Sequence, residues 1–393
     1  MKRALIWLFV STIALCVACR APIQNSSTNP ACIKAYDPQA DYFPQKVQIQ
    51  YAKGFQVEYH KHYKVITVRS PWRDAKVQFR YALVQCGTPI PKGFDAKEVI
   101  QIPVQKIAVM STTHLGHLEV LGLLDQLVAI SDTKIAYGEE IQKRVQNQQV
   151  QDIGSNSNVN VEKLLELSPE LITTYGTGNA ATDSYPKLQE AGLKVAINAE
   201  YMELSPLGQT EWMKFTALFF NAESKVNGVF SDIVKQYQQV AELAKRAKMQ
   251  PTVLTGFNRN GTWYVAGGKS HIAQMLKDAG ASYLWKDDPT SGSTPLSFEA
   301  VYDRAINAEF WIGGSLSWHR LQDVKQSDDR YQSLKSLQSG KVYNNNARLN
   351  QNNGNDYWQS GIIRPHIVLS DLVKIFHPEL LPNHQLTYYK RLR

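Results

Sequence analysis

Cysteine is scarce in this 393-residue chain, with four in all at positions 16, 19, 32 and 86. Two fall near the amino terminus and one pair is left for the body, too few for a cysteine zinc site. Long apolar runs are equally scarce. Only the stretch over 4–14 is largely apolar, and it is shorter than the about 20 residues that a helix needs to cross a bilayer. No later segment approaches that length, so the body reads as soluble. Charge of one sign is not concentrated anywhere: Lys and Arg number 43 against 35 Asp and Glu, a net of +8 scattered along the chain. With no basic run and no nucleic-acid motif, nucleic acid is not expected as a partner, and the mild excess points to anionic ligands or surfaces.

Catalytic and cofactor signatures are missing as well. No Gly-x-Ser-x-Gly elbow is present, which removes the simplest hydrolase. Gly267-Gly268-Lys269-Ser270 has the tail of a phosphate loop, but Trp263 stands where a glycine is required, so no nucleotide cofactor is expected. His114 and His117 are at helical spacing. The glutamate that zinc proteases place between such histidines is absent and no histidine-rich loop accompanies them, so no metal is expected. Gly176-Thr177-Gly178 reads as a turn.

What is there begins with Lys2 and Arg3 ahead of the apolar stretch and a small-residue segment ending at Cys19, the layout of an export signal over 1–18. Val17-Ala18-Cys19 resembles the lipobox of bacterial lipoproteins, departing from it at Cys16, where leucine is usual. The resemblance implies cleavage before Cys19 and lipidation of that residue, with ordinary secretion as the alternative. The polar stretch over 19–30 suits a tether. After export Cys32 and Cys86 meet oxidising conditions and can pair, or they are two unrelated small buried residues.

The body divides by rhythm. Over 31–105 alternating patterns predict a β-rich segment, with strands over 47–51, 55–59, 63–68 and 79–84 and a turn at Lys53-Gly54. Over 106–221 buried strands alternate with helices: strands at 107–110, 127–131, 171–174 and 193–197, helices at 114–124, 161–167 and 185–191. That rhythm implies an α/β lobe with a largely parallel sheet. Over 222–248 apolar residues at Val226, Val229, Phe230, Ile233, Tyr237, Val240 and Ala244 share one helix face, and a helix over 222–246 is long enough to join two lobes. Over 249–393 the α/β rhythm resumes, with strands at 252–255 and 310–312, helices at 270–279, 298–305 and 363–376, and an extended tail over 377–393. The fold class is therefore α/β, two Rossmann-like lobes joined by one long helix.

Several strings then carry a resemblance: Ile153-Gly154 before Val161-Glu162, Leu167-Ser168-Pro169-Glu170-Leu171-Ile172, the long helix, Asp278-Ala279-Gly280-Ala281, and Pro295-Leu296-Ser297-Phe298-Glu299. From about 107 to 381 the chain resembles the class III substrate-binding proteins of ABC importers, which serve ferric siderophores, haem and cobalamin. That resemblance implies a ligand held between the lobes, delivery to permease and ATPase subunits, a monomeric receptor at the outer face of the cytoplasmic membrane, and one acidic residue on each lobe docking with permease arginines. Matched by motif these are Glu162 and Glu299, although an acidic residue in a first helical turn is also favoured by the helix dipole alone.

Ligands of α/β sheets bind beyond the carboxyl ends of strands. That rule nominates Thr112, Thr113, His114, Tyr175 and Tyr201 on the first lobe, and Asn258, Arg259, Trp263, Trp318, His319, Arg348 and Tyr357 on the second. Rings with a few cations suit a flat, net-anionic iron chelate. A corrinoid or haem receptor shares the scaffold, with His114 or His319 as the axial candidate for haem. An exported enzyme is the reading from another class, and His114, Glu200 or His319 would then supply the acid or base.

Overall fold

The computed structural model describes residues 32–393. The signal, Cys19 and the tether fall outside the described residues.

The described chain opens with a four-stranded sheet, β1 (Phe55–Tyr59), β2 (Tyr63–Val68), β3 (Phe79–Gln85) and β4 (Val99–Ile102), antiparallel except for the β3–β4 pair. The strand expected over 47–51 does not form, and the hairpin is β1–β2 instead. Two buried carboxylates explain the difference. Glu211 accepts from the backbone N–H of Gln50 at 3.0 Å, Tyr51 at 2.7 Å and Ala52 at 2.8 Å; Glu203 accepts from Lys53 at 3.0 Å and Gly54 at 2.8 Å. A backbone whose donors are already satisfied has no ladder to complete. Cys32 and Cys86 are joined in a disulfide, Cα atoms 4.8 Å apart, which ties the start of the described chain to the end of β3.

The first lobe runs β5 (Ile107–Val109), α1 (Thr112–Leu121), β6 (Leu127–Ile130), α2 (Glu139–Gln146), β7 (Gln151–Asp152), a hairpin of β8 (Gly154–Ser155) and β9 (Asn158–Val159), α3 (Val161–Leu167), β10 (Leu171–Thr174), α4 (Tyr185–Glu190) and β11 (Val195–Ile197). Its sheet has the order β11-β10-β5-β6-β7, every pair parallel. β5, β6 and β11 are apolar throughout because both faces are covered, whereas β10 ends in Thr173-Thr174 and the edge strand β7 is Gln151-Asp152. Helix α5 (Pro206–Leu218), which carries no clear periodicity in sequence, is buried at every residue. It is the floor on which the N-terminal sheet sits: Phe55 packs on Trp212 and Phe215 with ring centroids 4.7 and 5.7 Å away.

Helix α6 (Glu223–Ala244) is the expected strut, 22 residues and so about 33 Å long at about 1.5 Å per residue. Val226, Phe230, Ile233 and Tyr237 form its buried face. The second lobe follows as β12 (Thr252–Thr255), β13 (Phe257–Arg259), β14 (Thr262–Ala266), α7 (His271–Asp278), β15 (Ser282–Tyr283), β16 (Ser293–Leu296), α8 (Phe298–Ala305), β17 (Phe310–Gly313), α9 (Leu321–Ser327), α10 (Lys335–Gln338), β18 (Val342–Asn344), α11 (Ser360–Ile363), α12 (Pro365–Phe376) and β19 (Lys390–Arg391). Its main sheet has the order β15-β12-β17-β18-β19, parallel apart from the last strand, and β13-β14-β16 form a separate antiparallel sheet. The helix expected over 363–376 is broken ahead of Pro365, which has no N–H to continue a preceding helix and instead opens α12. The tail is secured by Asp371, whose buried carboxylate accepts from the backbone N–H of Thr387, Tyr388 and Tyr389 at 2.9, 2.7 and 3.1 Å.

Candidate ligand site between the lobes

A cavity of about 400 Å³ opens where the two lobes face each other. Thr177, Tyr201 and Met202 line it from the first lobe, beyond the carboxyl ends of β10 and β11; Ala266, Ser270, His271, Ile272 and the run Ser291, Gly292 and Ser293 line it from the second. Trp72 and Arg73 complete it from the β2–β3 connection. The size lies within the usual range for small-molecule sites. Tyr201 is positioned by its hydroxyl, which donates to the Gly176 carbonyl at 2.6 Å. Burial, helped by Glu200, pushes that phenol up to about 12, so it stays protonated and can donate at neutral pH. His271 opens α7, whose cap is the Ser270 hydroxyl accepting from Ala273 N–H at 3.2 Å. Burial pulls its imidazole down to about 4, leaving it neutral at physiological pH. Direct hydrogen bonds also join the lobes: Gln359 donates to the Tyr137 carbonyl and accepts from the Tyr137 N–H, both at 2.9 Å, and Asn350 Nδ2 donates to the Lys134 carbonyl at 2.8 Å.

Beneath Tyr201 the first lobe keeps a buried polar cluster. His114 Nε2 lies 3.6 Å from Glu200 Oε2, an ion-pair separation longer than a hydrogen bond. Burial raises the Glu200 carboxyl, but His114 and Thr113 outweigh it and hold the group below its ordinary value. His117, one turn on, is fully buried with Nδ1 2.9 Å from the Thr216 hydroxyl, and burial lowers it to about 3.

The residues named from sequence are distributed unevenly about this site. Tyr201 lines the cavity. Thr113 sits at the start of α1 with its hydroxyl 2.8 Å from that of Ser111, and the Thr112 hydroxyl approaches the Trp358 carbonyl at 3.4 Å. Tyr175 is half-buried after β10, its phenol raised by burial. Two nominations are corrected: Trp263 and Trp318 are core residues, 0% and 2% exposed. Trp263 stacks on Trp311 at 5.4 Å and donates from Nε1 to the Thr255 carbonyl at 3.0 Å, and Trp318 meets Trp311 edge-on at 5.2 Å. Trp263 lies inside antiparallel β14 and not in a loop after a strand, and Trp318, in the loop after β17, packs inward on Phe257 and Trp311. Arg259 and His319 are exposed, and the half-buried Asn258 gives its N–H to the Tyr331 hydroxyl at 3.0 Å. Arg348 is engaged with Asp356 at 2.6 Å and lies 5.1 Å from the Tyr137 ring centre, and Tyr357 packs against Trp358 and Tyr389. Trp72, Arg73, His271 and Ser291–293 were not anticipated. A cap serine followed by histidine after Gly267-Gly268 was the available signal for one of them.

The family model described as "Periplasmic binding protein" matches residues 107–349. The chain belongs to that family. An uncharacterised lipoprotein of Methanocaldococcus jannaschii is 27% identical over 325 residues, 79% of this chain and 75% of that protein; a second from the same organism is 24% identical, with 80% of each covered. Among solved structures, the periplasmic haem-binding protein RhuT of Roseiflexus sp. RS-1 has a TM-score of 0.55 at 18% identity, covering 70% of this chain and 99% of that one. Helicobacter pylori CeuE with Ni(II) bound also has a TM-score of 0.55 at 18% identity, covering 73% and 88%. The fold is thus that of the periplasmic binding proteins, and the family match begins only after the N-terminal sheet. On this periplasmic binding protein Glu162 and Glu299 occupy equivalent places, the second residue of α3 and of α8, both exposed. Asn160 and Ser297 cap those helices, accepting from Lys163 and Ala300 N–H at 2.9 and 3.2 Å.

Proposed function

We propose that this chain is the substrate-binding subunit of an ABC importer, anchored by lipid on Cys19, that captures an iron chelate of the ferric-siderophore class and delivers it to a permease driven by its ATPase. The observation that carries the reading is the interlobe cavity, which the aromatic Trp72 and Tyr201 and the cationic Arg73 line together. Rings give a flat chelate apolar contact, and a guanidinium supplies charge-assisted hydrogen bonds to its oxygens. Similar folds are titled as a possible iron-binding protein of Staphylococcus epidermidis and as haem-binding proteins, which supports the same ligand class. Glu162 and Glu299 serve as the permease contacts, one per lobe, where complementary charge would set orientation and encounter rate.

Haem is the second reading, and one observation favours it: His271 lines the cavity as a neutral imidazole, the form that ligates iron. A corrinoid needs a much larger space than either. Titrating the full chain, purified in detergent, with ferric siderophores, haem and cobalamin while following tryptophan fluorescence tests these readings, since Trp72 lies in the cavity. Saturable quenching by a ferric siderophore is expected. Quenching by cobalamin alone would sink the iron reading, a Soret shift lost in His271→Ala would give the site to haem, and turnover of any ligand would replace a receptor with an enzyme. For the anchor, incorporation of labelled fatty acid should disappear in Cys19→Ser.

A further inference from the structure

The β2–β3 connection, over 69–78, belongs to the N-terminal sheet and precedes the family match, yet it reaches the ligand cavity. Its placement is built. The Trp72 ring stacks on Tyr185 at 6.0 Å and meets Phe79 edge-on at 6.0 Å. It lies so close over Gly176 and Gly178 that a Cβ on either would come within 2.6 Å of it, which accounts for the bare Gly176-Thr177-Gly178 turn. That turn is itself held by Asp183, whose carboxylate accepts from the N–H of Thr177 at 2.8 Å and of Gly178 at 2.9 Å. The next residue, Arg73, crosses to the other lobe: its Nη2 lies 2.0 Å from where a Cβ on Gly292 would stand. Among the described residues Arg73 has no carboxylate partner and no hydrogen bond, in contrast to Arg144, Arg330 and Arg348, each of which is paired. An unpaired guanidinium that lines the same cavity as Ser270, at the amino end of α7, is an arrangement for an anion.

We infer that the 69–78 connection is a third wall of the ligand site, contributed by neither lobe, and that Arg73 makes the site selective for net-anionic chelates. This inference rests on the receptor reading given above. It adds that the selecting cation comes from outside the two-lobed body, with its guanidinium lying against Gly292 of the second lobe.

The test uses the full chain and its Arg73→Ala and Gly292→Val variants, titrated with a ferric tris-catecholate (anionic), haem and a ferric tris-hydroxamate (neutral). Arg73 is exposed, so unchanged thermal unfolding checks that its variant is folded. Arg73→Ala should weaken the catecholate complex about tenfold or more, as expected for loss of a hydrogen bond to a charged group, leave the hydroxamate complex unchanged, and flatten the salt dependence of the catecholate affinity. Gly292→Val should reproduce the loss while keeping the arginine. Equal affinities in the native chain and Arg73→Ala, or an equal loss for the neutral chelate, overturns the inference. If the native chain binds none of the three, the iron reading fails, and citrate alone then judges the anion site: binding that weakens in Arg73→Ala sustains it, and no citrate binding overturns it.

Discussion

The two lobes differ in what they bury beside their parallel sheets. The first lobe buries titratable groups, His114, His117 and Glu200, together with Thr173 and Asn198, all at most 3% exposed. The second lobe's strand ends bury only neutral polar residues, Thr255, Ser315, Asn344, Asn345 and Asn346, and beside them stands a ring cluster of Trp263, Trp311, Trp318 and Tyr331 with centroid separations of 5.0–6.2 Å. The two indole N–H groups that need partners there find backbone carbonyls, Trp263 at Thr255 and Trp311 at Gly256, at 3.0 and 2.8 Å. A ring cluster satisfied in this way is mechanical, packed against Phe298 at the start of α8. The first lobe's cluster is electrostatic, and several of its atoms, His114 Nδ1, Asn198 Nδ2 and Glu200 Oε2 among them, have no hydrogen-bond partner among the described residues. The contrast teaches that Trp263 and Trp318 belong to the core of the second lobe, while the buried titratable cluster belongs to the first, with His271 the second lobe's own titratable group at the cavity.

The largest effect expected from this contrast is on stability. Trp263→Ala removes a fully buried ring and orphans the Thr255 carbonyl, and should cost about 3–5 kcal/mol. Urea unfolding would show it as a lower midpoint at unchanged slope. Tyr201→Phe, on the cavity side, loses the bond to the Gly176 carbonyl at 2.6 Å and the longer approach to the Pro71 carbonyl at 3.4 Å, together worth about 1 kcal/mol. An unchanged midpoint for Trp263→Ala would return that ring to the cleft and dissolve the contrast.

The same contrast marks what was legible beforehand. The strut and the helix starts at 161 and 298 follow from periodicity, because each of those helices buries one face and exposes another, and the strands between them stand out as short apolar runs buried on both faces. Helix α5 escaped because it is enclosed on every side and so has no polar stripe, and its Glu211 and Lys214 pair with each other at 2.7 Å inside the fold. The missing strand over 47–51 escaped for a related reason: Gln50 and Tyr51 give their N–H groups to Glu211, and the following Lys53 and Gly54 give theirs to Glu203, some 150–160 residues away in sequence, and nothing local signals that. Arg73 was out of reach because no pattern in a β-connection tells which lobe its side chain will cross to. Trp263 and Trp318 were misplaced because ring composition alone does not separate a lining from a core.

The second effect is on pH dependence and belongs to the first lobe. His117 titrates at about 3 in the folded chain against 6.5 normally, because burial disfavours its charged form. Between those values the unfolded chain binds a proton that the folded chain refuses, so stability falls as pH drops through this window, by up to about 1.4 kcal/mol per pH unit. Glu200 acts in the same direction lower down: its depressed carboxyl contributes stability that is present above 4.5 and lost as pH falls further. Denaturant midpoints taken between pH 6.5 and 5 report the buried histidines and not the carboxylate, and His271 and His366, both lowered to about 4 by burial, add to the same slope. His117→Leu should therefore reduce the slope by its own share and leave the rest. A slope identical to that of the native chain would place the acid sensitivity in the other histidines.

The smallest effect on stability, and the sharpest on function, concerns the exposed carboxylates. Glu299 has Arg330 3.6 Å away, while Arg330 itself pairs more closely with Asp328 at 2.7 Å and lies over the Phe298 ring; Glu162 has no ion-pair partner among the described residues. Part of the charge at 299 is thus already answered within the lobe, whereas that at 162 is wholly available to a partner. Glu162→Ala should slow uptake by transporter-bearing vesicles more than Glu299→Ala, and Arg330→Ala should raise the contribution of Glu299. Each change should shift unfolding by no more than about 0.5 kcal/mol, as exposed charges do, and leave chelate affinity unaltered. The double reversal Glu162→Arg with Glu299→Arg should abolish uptake; uptake that survives it would leave both carboxylates as favourable helix starts and nothing more.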